Sequence, residues 1–210
     1  LYSENLNWPA RENLTADLGL KDAEIRKARE WLKANCEIPW RENRLLAVMT
    51  GSNWSSKIWP EANYARVVSR LVKEKNVFPI VFGGKNERAQ GERLIAAWRT
   101  GANAAGELGL RGDAALLREC RMYLGADTGT MHLAASVGKP CAGVFAATDY
   151  DGRWTPFGGG GGVHKIFRER VECEVCFAPK CFNRQKCLNL ITPDAVFAGC
   201  AEIFDRDEKL

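Results

Sequence analysis

Short, unbroken apolar runs alternate with longer amphipathic stretches along most of this chain. Residues 44–49 (RLLAVM), 78–82 (FPIVF), 121–124 (RMYL) and 141–146 (CAGVFA) lack the every-other-residue polarity of a strand with one wet face, so they predict strands buried on both sides. Two weaker runs, 102–105 and 163–168, predict shorter strands. Between them the period changes to that of a helix. Residues 21–35 place Ile25, Ala28, Trp31 and Leu32 on one stripe, and Pro60 opens a helix reaching about Lys75. Further helices are expected over 87–99, 113–120, 130–137 and 193–204, and Gly138 supplies a left-handed stop after the third of these.

Strand and helix repeated at this spacing predict an α/β fold, a Rossmann-like doubly wound parallel sheet over residues 41–210 with helices on both faces. Residues 1–40 read as an N-terminal connecting segment that carries the first amphipathic helix. With 210 residues and 46% apolar content the chain can build a full core. Its net charge of +4 comes from Lys and Arg scattered among 26 acidic residues, which argues against nucleic acid and leaves anionic small molecules or membrane-surface substrates open. No apolar run approaches bilayer-spanning length and the N-terminus lacks a signal-peptide core, so the chain reads as soluble and cytoplasmic. It opens on Leu1 rather than Met, which reads as a fragment or a trimmed product.

Ligands of such sheets sit beyond the carboxyl ends of the strands, where three loops carry ligand-type groups. The first offers hydroxyls at Ser52, Ser55 and Ser56, an amide at Asn53 and a cation at Lys57. That inventory suits a diphosphate, with Lys57 neutralising charge on a departing phosphate, and it equally fits a solvated polar loop. In the second loop Gly83-Gly84 is too short for a dinucleotide fingerprint, while Glu87 suits either ribose hydroxyls or the N-terminus of its own helix. The third, residues 125–140 (GADTGTMHLAASVGKP), is the most informative. Asp127 or Thr128 would cap the helix, Asp127 would alternatively hold ligand hydroxyls, Thr128, Gly129 and Thr130 would face phosphates with the free N–H groups of the first helical residues, and His132 would add a donor. Alone, the same turn reads as readily as an ordinary capped helix with His132 on the surface. Thr148, Asp149 and Arg153 are expected in the same crevice, and the five glycines of 158–162 are given no chemical role.

Of eight cysteines, Cys36, Cys120, Cys141 and Cys200 are dispersed in apolar contexts and are expected to pack as small hydrophobes. The other four, Cys173, Cys176, Cys181 and Cys187, fall within fifteen residues at a spacing compatible with a tetrahedral structural zinc. Free thiols, a disulfide pair or an iron–sulfur cluster are the alternatives.

Four segments, in order, resemble glycosyltransferase family 9, typified by the ADP-heptose lipopolysaccharide heptosyltransferases. They are GSNWSSKIWP at 51–60, VFGG at 81–84 with Glu87, 125–140 with Val144-Phe145 and Thr148-Asp149, and the cysteine segment ending in LITP at 190–193. The resemblance implies the C-terminal, donor-binding half of a GT-B fold. It implies that Ser52, Asn53 and Lys57 contact the donor phosphates, Glu87 the ribose and Leu108 the base, and that Asp127, Thr128, Gly129 and His132 bind the sugar and diphosphate. It further implies inversion at the anomeric carbon with no metal cofactor for catalysis. The partners it implies are ADP-heptose or a related nucleotide sugar, and a lipopolysaccharide core acceptor at the inner face of the cytoplasmic membrane. The family's catalytic base belongs to an N-terminal acceptor domain and has no counterpart in this sequence. Two departures stand out: Thr130 where Pro or Leu is frequent, and Phe145-Ala146 where Phe-Gly is usual. The expectation is thus a glycosyltransferase donor domain. The alternatives are a non-catalytic nucleotide-sugar binding module, or a zinc-organised interaction domain resting on the cysteines alone.

Overall fold

The computed structural model describes residues 17–36, 44–157 and 164–206. The strands are β1 (Leu45–Met49), β2 (Phe78–Val81), β3 (Ala102–Asn103), β4 (Met122–Ala126), β5 (Cys141–Val144) and β6 (Lys165–Phe167). They form one sheet of order β3-β2-β1-β4-β5-β6, and every neighbouring pair is parallel. The helices are α1 (Asp22–Asn35), α2 (Glu61–Lys75), α3 (Arg88–Trp98), α4 (Gly109–Glu119), α5 (Gly129–Ser136), α6 (Lys186–Leu190) and α7 (Pro193–Asp205). The doubly wound parallel sheet expected from the apolar pattern is therefore present.

Every position of β1, β2, β4 and β5 is buried, because helices cover both faces. The period of two along each strand divides the core. Leu46, Val48, Met122, Leu124, Ala142 and Val144 pack with Tyr64, Val67, Val68 and Leu71 of α2 and with Val196, Cys200 and Ile203 of α7. Leu45, Ala47, Tyr123 and Cys141 face the other way, onto Ala28 and Leu32 of α1, Leu116 and Leu117 of α4, and Met131 and Ala134 of α5. Pro79 lies beyond the reach of β3, which pairs only Ile80 and Val81, so its missing N–H falls outside that ladder.

Several boundaries differ from the sequence expectation for local reasons. β3 stops at Asn103 because that side chain turns the backbone: Oδ1 accepts the Ala105 N–H at 3.2 Å and Nδ2 donates to the Arg88 carbonyl at 3.0 Å. α4 begins at Gly109 rather than residue 113, since Gly109 and Gly112 hid the helical pattern. α6, inside the cysteine segment, was not anticipated. α1 belongs to the packed domain: Ala28 and Leu32 are buried against its second core, and Arg29 pairs with Glu119 of α4 at 3.0 Å. The rest of the expected connecting segment, residues 1–16 and 37–40, and the glycine tract 158–162 lie outside the described residues. At the far end Thr192 caps α7, its hydroxyl accepting the Ala195 N–H at 3.2 Å with Pro193 in the first helical position. No helix among the described residues is long and apolar enough to cross a membrane.

Candidate functional site

The strand order reverses direction between β1 and β4, and there the following helices depart to opposite faces of the sheet. A cavity of about 520 Å3 opens at that switch point, beyond the carboxyl ends of the strands. Its walls come mostly from three loops, Ser52, Asn53, Trp54 and Lys57 after β1, Gly84, Asn86 and Glu87 after β2, and Asp127, Thr128, Gly129 and Thr130 after β4, with Met49 of β1 and Leu110 of α4 completing the lining. Residues more than seventy positions apart thus converge, and Lys57 and Thr128 face the same space.

Lys57 Nζ donates to Asp127 Oδ2 at 2.7 Å, and the two side chains are only 16% and 9% exposed. The pair neutralises a carboxylate that would otherwise repel an anion at this mouth. Lys57 also lies 5.4 Å from the centre of the Trp54 ring. Thr128 occupies the N-cap of α5 in extended backbone with no side-chain cap bond, and the first-turn backbone bonds begin at the Met131 N–H. Gly129 and Thr130, the first helical residues, therefore bring amides to the cavity wall that no side chain caps among the described residues. This corrects the expectation that Asp127 or Thr128 caps the helix. Asp127 is engaged by Lys57, and the Thr128 hydroxyl lies 3.4 Å from that of Tyr123.

The turn is braced from below. Tyr123 is fully buried and donates its hydroxyl to the Ala126 carbonyl at 2.9 Å, and burial raises its pKa well above the ordinary phenol value, so it stays a donor. Gly125 makes room for it: a Cβ there would stand 2.7 Å from Tyr123 Cζ and press on the Met49 carbonyl oxygen. Glu87 accepts the Gly84 N–H at 2.8 Å, so it tethers its own turn while lining the cavity. A Cβ on Gly83 would lie 2.8 Å from Glu87 Cβ, which is why a glycine stands there.

Not every expected residue arrives. Leu108 packs on the second core, and Leu110, 70% exposed, lines the cavity in its stead. His132 is turned toward Trp154, with ring centroids 6.4 Å apart. Asp149 is occupied by its own loop, accepting from Trp154 Nε1 at 2.7 Å and from Arg153 at 3.2 Å. Thr148 is 3% exposed and sits beside the cysteines. Of the loop-one hydroxyls only Ser52 faces the cavity; Ser56 is buried and donates to the Ala178 carbonyl at 2.6 Å, and Ser55 to Pro179 at 3.4 Å. Trp54, Asn86 and Leu110 are walls that sequence reasoning missed. The signal available for Trp54 was its place inside the 51–60 segment.

No disulfide joins any of the eight cysteines, all of which lie among the described residues. Burial pushes Cys120 and Cys141 up to about 12, in keeping with packing as small apolar groups. Cys173, Cys176, Cys181 and Cys187 line one small enclosed cavity of about 20 Å3. Among the described residues, however, no three His, Cys, Asp or Glu side chains converge on a metal position. Three of the sulfurs are turned to N–H donors: Cys181 accepts from Asn183 and Gln185 backbone amides at 3.3 and 3.1 Å, Cys173 from Asn183 Nδ2 at 3.3 Å, and Cys187 from the Ala147 amide at 3.5 Å.

Comparison with known proteins follows the same line. A family model for glycosyltransferase family 9 (heptosyltransferase) matches residues 1–186. Lipopolysaccharide heptosyltransferase 1 of Pseudomonas aeruginosa is 28% identical over 149 residues, covering 71% of this chain and 38% of its own length. A glycosyl transferase family 9 structure from Veillonella parvula superposes with a TM-score of 0.72 at 18% identity, over 88% of this chain and 52% of that one. The E. coli heptosyltransferase WaaC with ADP gives 0.61 at 19% identity, over 84% of this chain and 48% of that one. The chain thus spans little more than a third of that curated relative and about half of each solved chain, with the α/β architecture of one half of a GT-B enzyme. By the family match over residues 1–186, the chain belongs to glycosyltransferase family 9, the heptosyltransferase family.

Proposed function

We propose that this chain supplies the donor half of an inverting glycosyltransferase that takes a heptose from ADP-heptose and passes it to a lipopolysaccharide core acceptor. The observation that carries the reading is the pairing of Lys57 with Asp127 beside the uncapped mouth of α5, on the walls of one cavity at the strand switch point. In the transfer, an acceptor hydroxyl oxygen forms a bond to the anomeric carbon from the face opposite the diphosphate, and the bond from that carbon to the phosphate oxygen breaks. The electron pair stays on the departing ADP, where the Lys57 ammonium and the α5 amides compensate the charge. The acceptor's proton goes to a base contributed by an N-terminal acceptor domain. Glu87 and Asp127, as carboxylates on the same walls, are the acceptors for ribose and heptose hydroxyls, with Asp127 released as Lys57 swings to phosphate. The setting is the cytoplasm, at the inner face of the membrane, where a lipid-anchored core presents its sugar.

Calorimetric titration with ADP, UDP and GDP tests this. ADP should be preferred, and Lys57→Ala should weaken the binding of all three alike, since the diphosphate is common to them. Equal indifference to all three would end the proposal.

A structural zinc at Cys173, Cys176, Cys181 and Cys187 is a second proposal, favoured by four sulfurs around one cavity. The donor set suits zinc, and ligation requires the thiols to turn inward from their present N–H partners. Protein purified without chelator should carry close to one equivalent of metal; less than about a tenth would reject the site.

A further inference from the structure

The turn that carries Lys57 is held largely from outside itself. Residues Ser55–Lys57 make a single 3-10 turn, a conformation of marginal stability on its own. Its supports lie on the cysteine segment, some 125 residues downstream: the Ser56 N–H donates to the Pro179 carbonyl at 3.1 Å and the Ser56 hydroxyl to Ala178 at 2.6 Å. Gln185 closes the arrangement. Its Nε2 donates to the carbonyls of both Ser55, at 2.8 Å, and Ile58, at 3.1 Å, the residues that flank Ser56-Lys57. Gln185 is itself fixed in left-handed backbone (φ 55°, ψ 37°), with its amide on Cys181 Sγ at 3.1 Å and its carbonyl accepting the Asn189 N–H at 3.0 Å.

We propose that Gln185 is a positioning residue for the donor site: by clamping both ends of the Ser55–Lys57 turn it aims the Lys57 ammonium at the place of the donor phosphates. The proposal rests on the donor-site reading above. A lysine stem has four rotatable bonds, so where its ammonium can reach depends on where its backbone is held, and a displacement of about 1 Å is enough to disrupt a charged contact of this kind. Gln185 touches no substrate; it acts through the turn.

Two variants separate the clamp from backbone effects. Gln185→Gly accepts the left-handed backbone without strain and loses both donors, while Gln185→Glu keeps the shape and sets a carboxylate against two carbonyls. Hydrogen–deuterium exchange without nucleotide should show the Ser56 amide exchanging about tenfold faster in either variant, with β1 and β4 unchanged. Calorimetry should show ADP binding about tenfold weaker and adenosine binding unchanged, a phosphate-selective loss that general destabilisation does not produce. If either the exchange at 52–59 or the ADP affinity of Gln185→Gly matches wild type, the proposal is overturned. Wild-type protein that takes no ADP would instead sink the donor-site reading, and the exchange measurement would then decide alone whether Gln185 holds the turn.

Discussion

The ion pair between Lys57 and Asp127 joins the loop after β1 to the mouth of α5, and its strength can be read by a double-mutant cycle of Lys57→Met and Asp127→Asn. At 2.7 Å, two unit charges attract by about 6 kcal/mol in an effective dielectric of about 20. Drawing both groups out of water offsets most of that. With side chains 16% and 9% exposed, the net coupling expected is about 2 kcal/mol, above the ~0.2–1 kcal/mol of a pair in open solvent. Lys57→Met keeps the stem volume and strands the carboxylate, from which the partial positive charge at the start of α5 recovers at most about 1 kcal/mol, so a loss near 2 kcal/mol is expected. Asp127→Asn strands an ammonium that still touches water, for about 1.5 kcal/mol, and the double variant should then lose only about 1.5 kcal/mol. Urea unfolding at neutral pH, followed by circular dichroism at low and at high salt, measures all four corners. A coupling under about 0.5 kcal/mol, or one that salt halves, would mean that water separates the charges and that the crevice is not closed in the way the cavity walls require.

Gly125→Ala should destabilise by about 3 kcal/mol, because the new methyl group meets the Met49 carbonyl on the paired strand and the Tyr123 hydroxyl, neither of which can withdraw; a thermal midpoint equal to wild type would disprove that packing. Burial raises Asp113 to about 6, so the folded state holds this proton more tightly than the unfolded one. Stability from this group is complete below about pH 4 and is lost as pH rises through about 6. Partial contact with solvent limits the loss to about 1 kcal/mol, and Asp113→Asn should remove that pH dependence; an unchanged stability profile between about pH 4 and 7 would exclude it. Thr148→Val should gain about 1 kcal/mol, since the buried Thr148 hydroxyl has no partner among the described residues, and a lowered unfolding midpoint would show that something satisfies it.

Much of the fold was legible because parallel strands buried on both faces leave a plain trace. The runs LLAVM, FPIV and CAGV contain no charge, and each begins or ends within two residues of its expected limit. What failed to show was whatever depended on a single side chain or on glycine. Asn103 ends β3 through bonds to residues 88 and 105 that no periodicity encodes, and Gly109 and Gly112 sit in a helix against their propensity. The candidate site divides in the same way. Lys57, Asp127 and the 128–130 turn were readable, as polar residues placed just after apolar runs in a fold whose ligand address is known. That Ser55 and Ser56 serve the cysteine segment rather than the cavity was not readable, since a hydroxyl looks the same in sequence whether it faces a ligand or a carbonyl 122 residues away.

That tether explains why the cysteine segment belongs with the loops that wall the cavity rather than apart as a separate module. α2 and α5 leave the sheet on opposite faces, so the crevice between their starting points has a floor, in β1 and β4, and no covalent wall on its outer side. The loop after β1 has to be pressed against that opening by something, and bonds reach it from 178–188 through Ser55, Ser56, Ile58 and the Trp59 indole, which donates to the Leu188 carbonyl at 3.2 Å. Three stretches far apart in sequence must therefore fold before Lys57 can meet Asp127. A ligand bound there draws on all three at once, so occupancy of the cavity should protect the 178–188 segment from exchange as strongly as it protects the loop it touches.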